Sequence, residues 1–202
     1  MTRIGIYGGT FSPPHNGHVA AARAFMEQMW LDILYVIPTA EPPHKDADPR
    51  VSAQDRLEMC RAAFGGMEGV YVSDMEIQRG GKSYTVDTLS ELSGEDRRLF
   101  LLCGTDMMLT LGSWYRAEEI FRLCYPVYVR REGDEDEALE RRIVDTIRDY
   151  GERYGRIVRR ILTDPIEISS TALRARLACG EDVSAWLPPM VETYIRDNHL
   201  YV

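Results

Sequence analysis

An α/β fold is predicted, a doubly wound parallel sheet flanked by helices with a small C-terminal helical region. Three observations carry it. Short β-branched and aromatic runs recur at Arg3–Tyr7, Ile33–Ile37, Val70–Ser73, Leu99–Cys103 and Cys124–Val129. Stretches with helical apolar spacing stand between them. Several runs stop at turn-forming residues, at Gly8-Gly9, Pro38 and Gly104. Strands alternating with helices build βαβ units, and their crossovers cover both faces of a parallel sheet.

The elements follow in order. After the first run, Val19, Ala22, Met26 and Met29 share one helical face. The proline-rich stretch Thr39–Arg50 reads as a loop. Ser52–Phe64 is predicted helical, with Ala53, Leu57, Cys60 and Phe64 aligned, and Thr85–Leu92 through Val86, Leu89 and Leu92. Ala117–Leu123 is helical before the fifth strand, and Ile157–Leu162 supplies another strand. The acidic stretch Gly133–Tyr150 carries Leu139, Ile143, Ile147 and Tyr150 at helical intervals, which suits a surface helix with a solvated charged face. Two helices close the chain, one from about Ser170 and one after Pro188-Pro189, where proline suits a first turn.

A length of 202 residues suits one domain spanning 1–202, with a helical subregion from about 165 to 202. No apolar run approaches the roughly 18–20 residues that span a bilayer, and the N-terminus lacks the pattern of a signal peptide. Cys60, Cys103, Cys124 and Cys179 are scattered without CxxC spacing, so neither a disulfide framework nor a zinc site is expected, and a reducing cytoplasm fits. Thirty-two acidic against 24 basic residues, a formal charge of −8, argue against broad nucleic-acid binding. An anionic ligand in a locally basic pocket stays compatible with that charge.

The segment Gly8-Gly9-Thr10-Phe11-Ser12-Pro13-Pro14-His15-Asn16-Gly17-His18 lies where an open α/β sheet places its ligand, beyond the carboxyl end of a strand. Gly8 and Gly9 permit a sharp turn and close backbone approach. Pro13 and Pro14 stiffen the loop. A helix starting near Gly17 offers free N–H groups to an anion, with His15 and His18 converging on it. Each half alone has an ordinary reading, as a turn or as surface histidines; the combination points to phosphate. Neither GxxxxGK[ST] nor GxGxxG is present.

The stretch Gly9–His18 resembles the GTFDPxHxGH signature of the nucleotidyltransferase superfamily, which shares HxGH with class I aminoacyl-tRNA synthetases. The resemblance implies a Rossmann-like fold in which Gly8, Gly9, Thr10 and Phe11 contact ATP. It also implies that His15 and His18 bind the phosphates, His18 nearest the reacting α-phosphate. Ser12 departs from the pattern, which has aspartate there, so no catalytic role is carried over to it.

Ile168-Ser169-Ser170-Thr171-Ala172-Leu173-Arg174 reads as hydroxyls capping a new helix, with an arginine one turn in. It resembles the superfamily's ISSTxIR motif, which implies that Ser170, Thr171 and Arg174 hold the β- and γ-phosphates.

Between these elements, Glu41-Pro42-Pro43-His44-Lys45 resembles the xPPHK segment of nicotinate-nucleotide adenylyltransferases. Ser83-Tyr84-Thr85, Gly104-Thr105-Asp106, Trp114-Tyr115 and Leu187-Pro188-Pro189 match the same family in order. Physically, Trp114 suits a cationic ring, the helix start at Thr85 a carboxylate, Asp106 a ribose and Lys45 a phosphate. Ordinary packing or capping roles are as good for each alone. The resemblance implies an enzyme joining AMP from ATP to nicotinate mononucleotide, with His15, His18, Lys45 and Arg174 catalytic. Lys45, Thr85, Gly104, Asp106, Trp114 and Tyr115 then bind the acceptor. No acidic cluster reads as a metal cage, so Mg²⁺ is expected with the ATP phosphates. Nicotinamide mononucleotide or phosphopantetheine as acceptor, and a noncatalytic nucleotide-binding relative, are the alternatives. Neither a nucleic acid nor a membrane is expected as partner, and a homo-oligomer stays open.

Overall fold

The computed structural model describes residues 1–42, 50–130, 136–163 and 169–202. The first apolar run forms β1 (Thr2–Gly9), followed by α1 (Asn16–Gln28), β2 (Ile33–Pro38), α2 (Ala53–Phe64) and β3 (Val70–Val72). Two short helices, α3 (Met75–Arg79) and α4 (Thr85–Leu92), lead to β4 (Arg97–Gly104) and α5 (Thr105–Thr110). A 3-10 turn at Leu111–Ser113 precedes α6 (Ala117–Leu123), β5 (Cys124–Val129), α7 (Glu137–Tyr154) and β6 (Arg159–Ile161). α8 (Ser170–Ala178) and α9 (Pro189–Asp197) close the chain.

The strands form one sheet in the order β3-β2-β1-β4-β5-β6, every pairing parallel. The chain winds outward from β1 through β2 and β3, then returns to lay β4 against the other side of β1. Strand order thus reverses between β1 and β4, which opens a crevice beyond Gly9 and Gly104. The helices preceding β2, β4 and β5 run antiparallel to the strands, so the N-termini of α1, α4 and α6 share that same edge.

Side chains of β1 and β4 alternate between two apolar layers, as burial on both faces requires. Ile4, Ile6, Leu99, Leu101 and Cys103 pack with Val86, Leu89, Phe121 and Tyr150. Tyr7, Phe100 and Leu102 pack with Ala22, Phe25, Cys60 and Phe64. A third cluster joins Met59 of α2 to Leu173, Val191, Ile195 and Tyr201 of the C-terminal segment.

The buried face of α1 is Ala21, Ala22 and Phe25, with Met29 just beyond. Val19 and Met26 are only half-buried, so the stripe is rotated from the predicted one. Gly5 is the physical reason. A Cβ there would stand 2.9 Å from Phe25 Cε1 and 2.5 Å from Leu31 Cδ1, so the bare backbone lets the Phe25 ring centre on the strand.

The surface helix expected from the acidic stretch is α7, which buries Ile143 and Tyr150. It is anchored by Tyr150, whose hydroxyl donates to Met108 O at 3.0 Å and accepts from Gly112 N at 2.8 Å. α3 and α5 are additions to the sequence reading, each too short for apolar periodicity to show. Cys60, Cys103, Cys124 and Cys179 are all free, and burial pushes the Cys103 thiol up to about 12. No described helix is long and apolar enough to cross a membrane.

Candidate active site

The loop leaving β1 is fixed from below before it meets any ligand. Phe11 takes φ +48 and turns its ring inward, edge-on to Tyr7 (5.3 Å), His18 (5.2 Å) and Phe64 (6.0 Å). Its side chain is therefore core, and only its backbone remains for the ATP role expected of it. A Cβ on Gly9 would stand 3.1 Å from that ring, tight enough that the ring would have to give by a few tenths of an ångström. Gly8 is exposed and Thr10 half-buried at the crevice.

His15 caps α1 in extended conformation, and its carbonyl accepts from the N–H groups of His18 and Val19. The two histidine rings lie 3.8 Å apart between centroids. His18 Nδ1 accepts the His15 N–H at 3.2 Å, so the neutral His18 ring carries its proton on Nε2. Nε2 is then the donor atom of that ring, at a helix N-terminus, where an anion is favoured.

The second predicted element meets the first. Ser169 caps α8 by accepting from Ala172 N at 3.1 Å. Ser170 Oγ donates to Pro13 O at 3.0 Å, and Arg174 Nη1 donates to Ser12 O at 2.8 Å. Arg174 Nη2 also reaches Thr171 Oγ1 at 3.2 Å, while Thr171 itself is exposed. The start of α1 is tied to the C-terminal segment as well, through Asn16 N to Trp186 O at 2.8 Å. Two helix N-termini and a half-buried arginine therefore converge on one loop.

Ser12 faces away from this convergence. It is buried, and its hydroxyl lies 3.0 Å from the hydroxyl of buried Tyr201. The departure from the aspartate pattern thus occupies a core contact.

On the other side of the crevice, Gly104 caps α5; Thr105 is buried and donates to Val129 O at 3.4 Å, and Asp106 is exposed in the first turn. Thr85 opens α4 behind Tyr84, whose ring lies 4.6 Å from that of exposed Tyr115. Trp114 is half-buried against the core, its Nε1 3.4 Å from Thr110 Oγ1. All these positions share the carboxyl edge of the sheet. His44 and Lys45 lie outside the described residues.

One residue escaped the sequence reading. Arg56 is 1 % exposed among the apolar residues of α2, with Nη1 donating to Thr10 O and Nη2 to Ala40 O, both at 3.0 Å. Its signal was a basic residue four positions before Cys60, in line with the buried Cys60 and Phe64. Nearby, Glu76 is buried and accepts from Thr88 Oγ1 at 2.6 Å. Burial pushes its carboxyl up, against the hydrogen bonds from Thr88 and Ser83 and the Arg79 charge, which work to lower it. Among the described residues no group of three or more His, Cys, Asp or Glu converges to hold a metal ion.

Comparison with known proteins agrees with this geometry. The cytidylyltransferase-like family model matches residues 6–176. The probable nicotinate-nucleotide adenylyltransferase of Chromobacterium violaceum is 36% identical over 208 residues, covering 98% of each chain. That of Pseudomonas fluorescens is 37% identical, over 98% of this chain and 97% of its own. The solved Plasmodium falciparum nicotinic acid mononucleotide adenylyltransferase complexed with NaAD superposes with TM-score 0.76 over 100% of this chain and 98% of its own. At 18% identity it speaks for the fold alone. The chain belongs to the cytidylyltransferase-like family, among the nicotinate-nucleotide adenylyltransferases.

Proposed function

We propose that this enzyme, acting as one unit over 1–202 in the cytoplasm, transfers AMP from ATP to nicotinate mononucleotide, giving deamido-NAD and pyrophosphate. The observation that carries the reading is the junction of the two phosphate elements, Arg174 Nη1 to Ser12 O at 2.8 Å and Ser170 Oγ to Pro13 O at 3.0 Å. A family acting on ATP needs both elements on one triphosphate, and here they touch at the sheet's switch point.

The acceptor's phosphate oxygen attacks the α-phosphorus of ATP. A new P–O bond forms, the bond from the α-phosphorus to the bridging oxygen breaks, and pyrophosphate leaves with that electron pair. The nucleophile is already ionised at neutral pH, so the protein supplies position and charge stabilisation. The His18 Nε2 donor, with His15 beside it, serves the α-phosphate. Ser170, Thr171 and Arg174 hold the departing β- and γ-phosphates. Gly8, Gly9, Thr10 and the Phe11 amide line the nucleotide, with Lys45 supplying positive charge for phosphate. Thr85 and the start of α4 take the nicotinate carboxylate, Trp114 and Tyr115 its ring, and Gly104 and Asp106 its ribose.

Mg²⁺ would arrive on the ATP phosphates, beside the donors and the arginine of this site; among the described residues no group of metal-ligating side chains converges. Bound there, it neutralises phosphate charge. The test is pyrophosphate release from ATP with nicotinate mononucleotide, nicotinamide mononucleotide and phosphopantetheine side by side. Fastest turnover of the first is expected. Preference for another acceptor refutes the assignment, and ATP binding without turnover of any of them refutes the enzyme reading.

A further inference from the structure

The fork of Arg56 leads beyond the residues already given roles. Its guanidinium joins Thr10 O, in the loop after β1, to Ala40 O, in the loop after β2. From Ala40 the connection continues, because Ala40 N donates to Ser83 Oγ at 2.9 Å and Ser83 N donates to Glu41 O at 3.0 Å. Ser83 stands two residues before the start of α4 at Thr85. We infer that Arg56 is a positioning residue, which sets the spacing between the ATP loop and the acceptor-side loops through its hold on Thr10 and Ala40.

Two physical arguments support this beyond the distances. The first concerns cost. A buried cation is unfavourable without an ionised partner, and among the described residues Arg56 hydrogen-bonds two neutral carbonyls while its buried Nε meets no acceptor. Its neighbours on α2 (Leu57, Met59 and Cys60) are buried and apolar. An apolar side chain would suit packing there better, so the carbonyl contacts are what explain an arginine.

The second concerns direction. The C=O and N–H of a trans peptide point opposite ways. Drawing Thr10 O toward α2 therefore turns the Phe11 N–H away from it, and Phe11 has only its backbone to offer the nucleotide. A planar five-donor fork sets two carbonyls at once, whereas a lysine ammonium has no such fixed geometry.

The inference rests on the proposed adenylyl transfer, so its test carries a readout independent of the acceptor. Arg56→Lys and Arg56→Gln are compared with the unsubstituted chain below their melting transitions, with rates normalised to the folded fraction. Dissociation constants for a non-hydrolysable ATP analogue are measured alongside kcat and both KM values. A misplacement of the order of 1 Å costs about 10²-fold. The folded variants are expected to bind the analogue at least ten-fold more weakly, with both KM values raised and kcat lowered.

A structural role alone lowers Tm and leaves those constants alone. Either variant folded with analogue affinity, kcat and both KM values within two-fold of the unsubstituted chain overturns the inference. Arg56→Gln carries no charge to bury, so it decides the matter if Arg56→Lys does not fold. If neither folds, Ser83→Ala, which releases Ala40 from the other side, is expected to raise the acceptor KM five-fold or more. An unchanged KM there overturns the connection. Failure of the unsubstituted chain to turn over any acceptor refutes the adenylyl-transfer reading, while the analogue affinity still reads Arg56's hold on Thr10.

Discussion

Replacing Ser12 by alanine separates a structural from a catalytic meaning of this loop's one departure from pattern. The Ser12 and Tyr201 hydroxyls lie 3.0 Å apart and both residues are buried, while Tyr201 also stands 4.0 Å from Met59 Sδ. Taking one partner from a buried hydrogen bond costs about 1–3 kcal/mol. In a chain of this size each kcal/mol moves Tm by roughly 2–4 °C, so Ser12→Ala is expected to lower Tm by roughly 2–12 °C. Tyr201→Phe should cost about as much, and the double variant less than the two losses together, because the two hydroxyls share one hydrogen bond. Pyrophosphate release should stay within about three-fold, against the roughly 10²–10³ that a lost charge-stabilising donor costs. Calorimetric melts and steady-state rates on the four proteins complete the cycle. A hundred-fold loss of kcat in Ser12→Ala with Tm unchanged would refute the structural reading.

Three further outcomes follow from the same coordinates. His18→Ala removes the Nε2 donor and should lower kcat by about 10²–10³ with little change in Tm; a rate within a few-fold of the unsubstituted chain excludes the role. Glu76→Gln tests the buried carboxyl, whose pKa is raised in the fold chiefly by burial, with Thr88, Ser83, Arg79 and Glu91 facing it. A raised folded pKa gives stability that is fully present below the unfolded value, about 4.3, and lost as pH rises through the folded one. Glu76→Gln should therefore flatten Tm against pH above about 4.3, and an unchanged slope counts against it. Gly5→Ala places a Cβ 2.5 Å from Leu31 Cδ1 and 2.9 Å from Leu34 Cδ1. Such overpacking costs about 1–3 kcal/mol, seen as a lower urea midpoint at constant m-value, and an unmoved midpoint shows that the layer yields.

The fold was legible where period and punctuation coincide. β1, β2, β4 and β5 are buried on both faces, so their apolar runs are continuous and end at Gly9, Pro38, Gly104 and Val129. α2 announces itself with Ser52, which accepts from Asp55 N at 3.0 Å. α3 spans five residues, fewer than two turns, so no stripe can repeat within it. The rotated face of α1 was hidden for another reason: the residue that centres it, Gly5, belongs to a different element. Helical spacing reports which residues share a face, and the neighbour's relief decides which of them goes deepest.

The site divides along the same line. His15, His18, Ser170 and Arg174 were readable because side-chain chemistry and a helix start fall together in one short segment. Arg56 acts by holding backbone carbonyls of Thr10, 46 positions earlier, and Ala40, 16 earlier, and no local spacing encodes such a contact. The formal charge of −8 looks adverse to two polyanionic substrates, yet this arrangement makes it nearly irrelevant. Surface carboxylates are screened over about 8–10 Å at physiological salt, whereas the groups beside the loop are amide dipoles and an arginine already in place. Binding strength here depends on how well those dipoles are aimed. The side chain that aims the backbone, Arg56 beneath Thr10, therefore counts for the proposed chemistry as much as the histidines proposed to meet the phosphate.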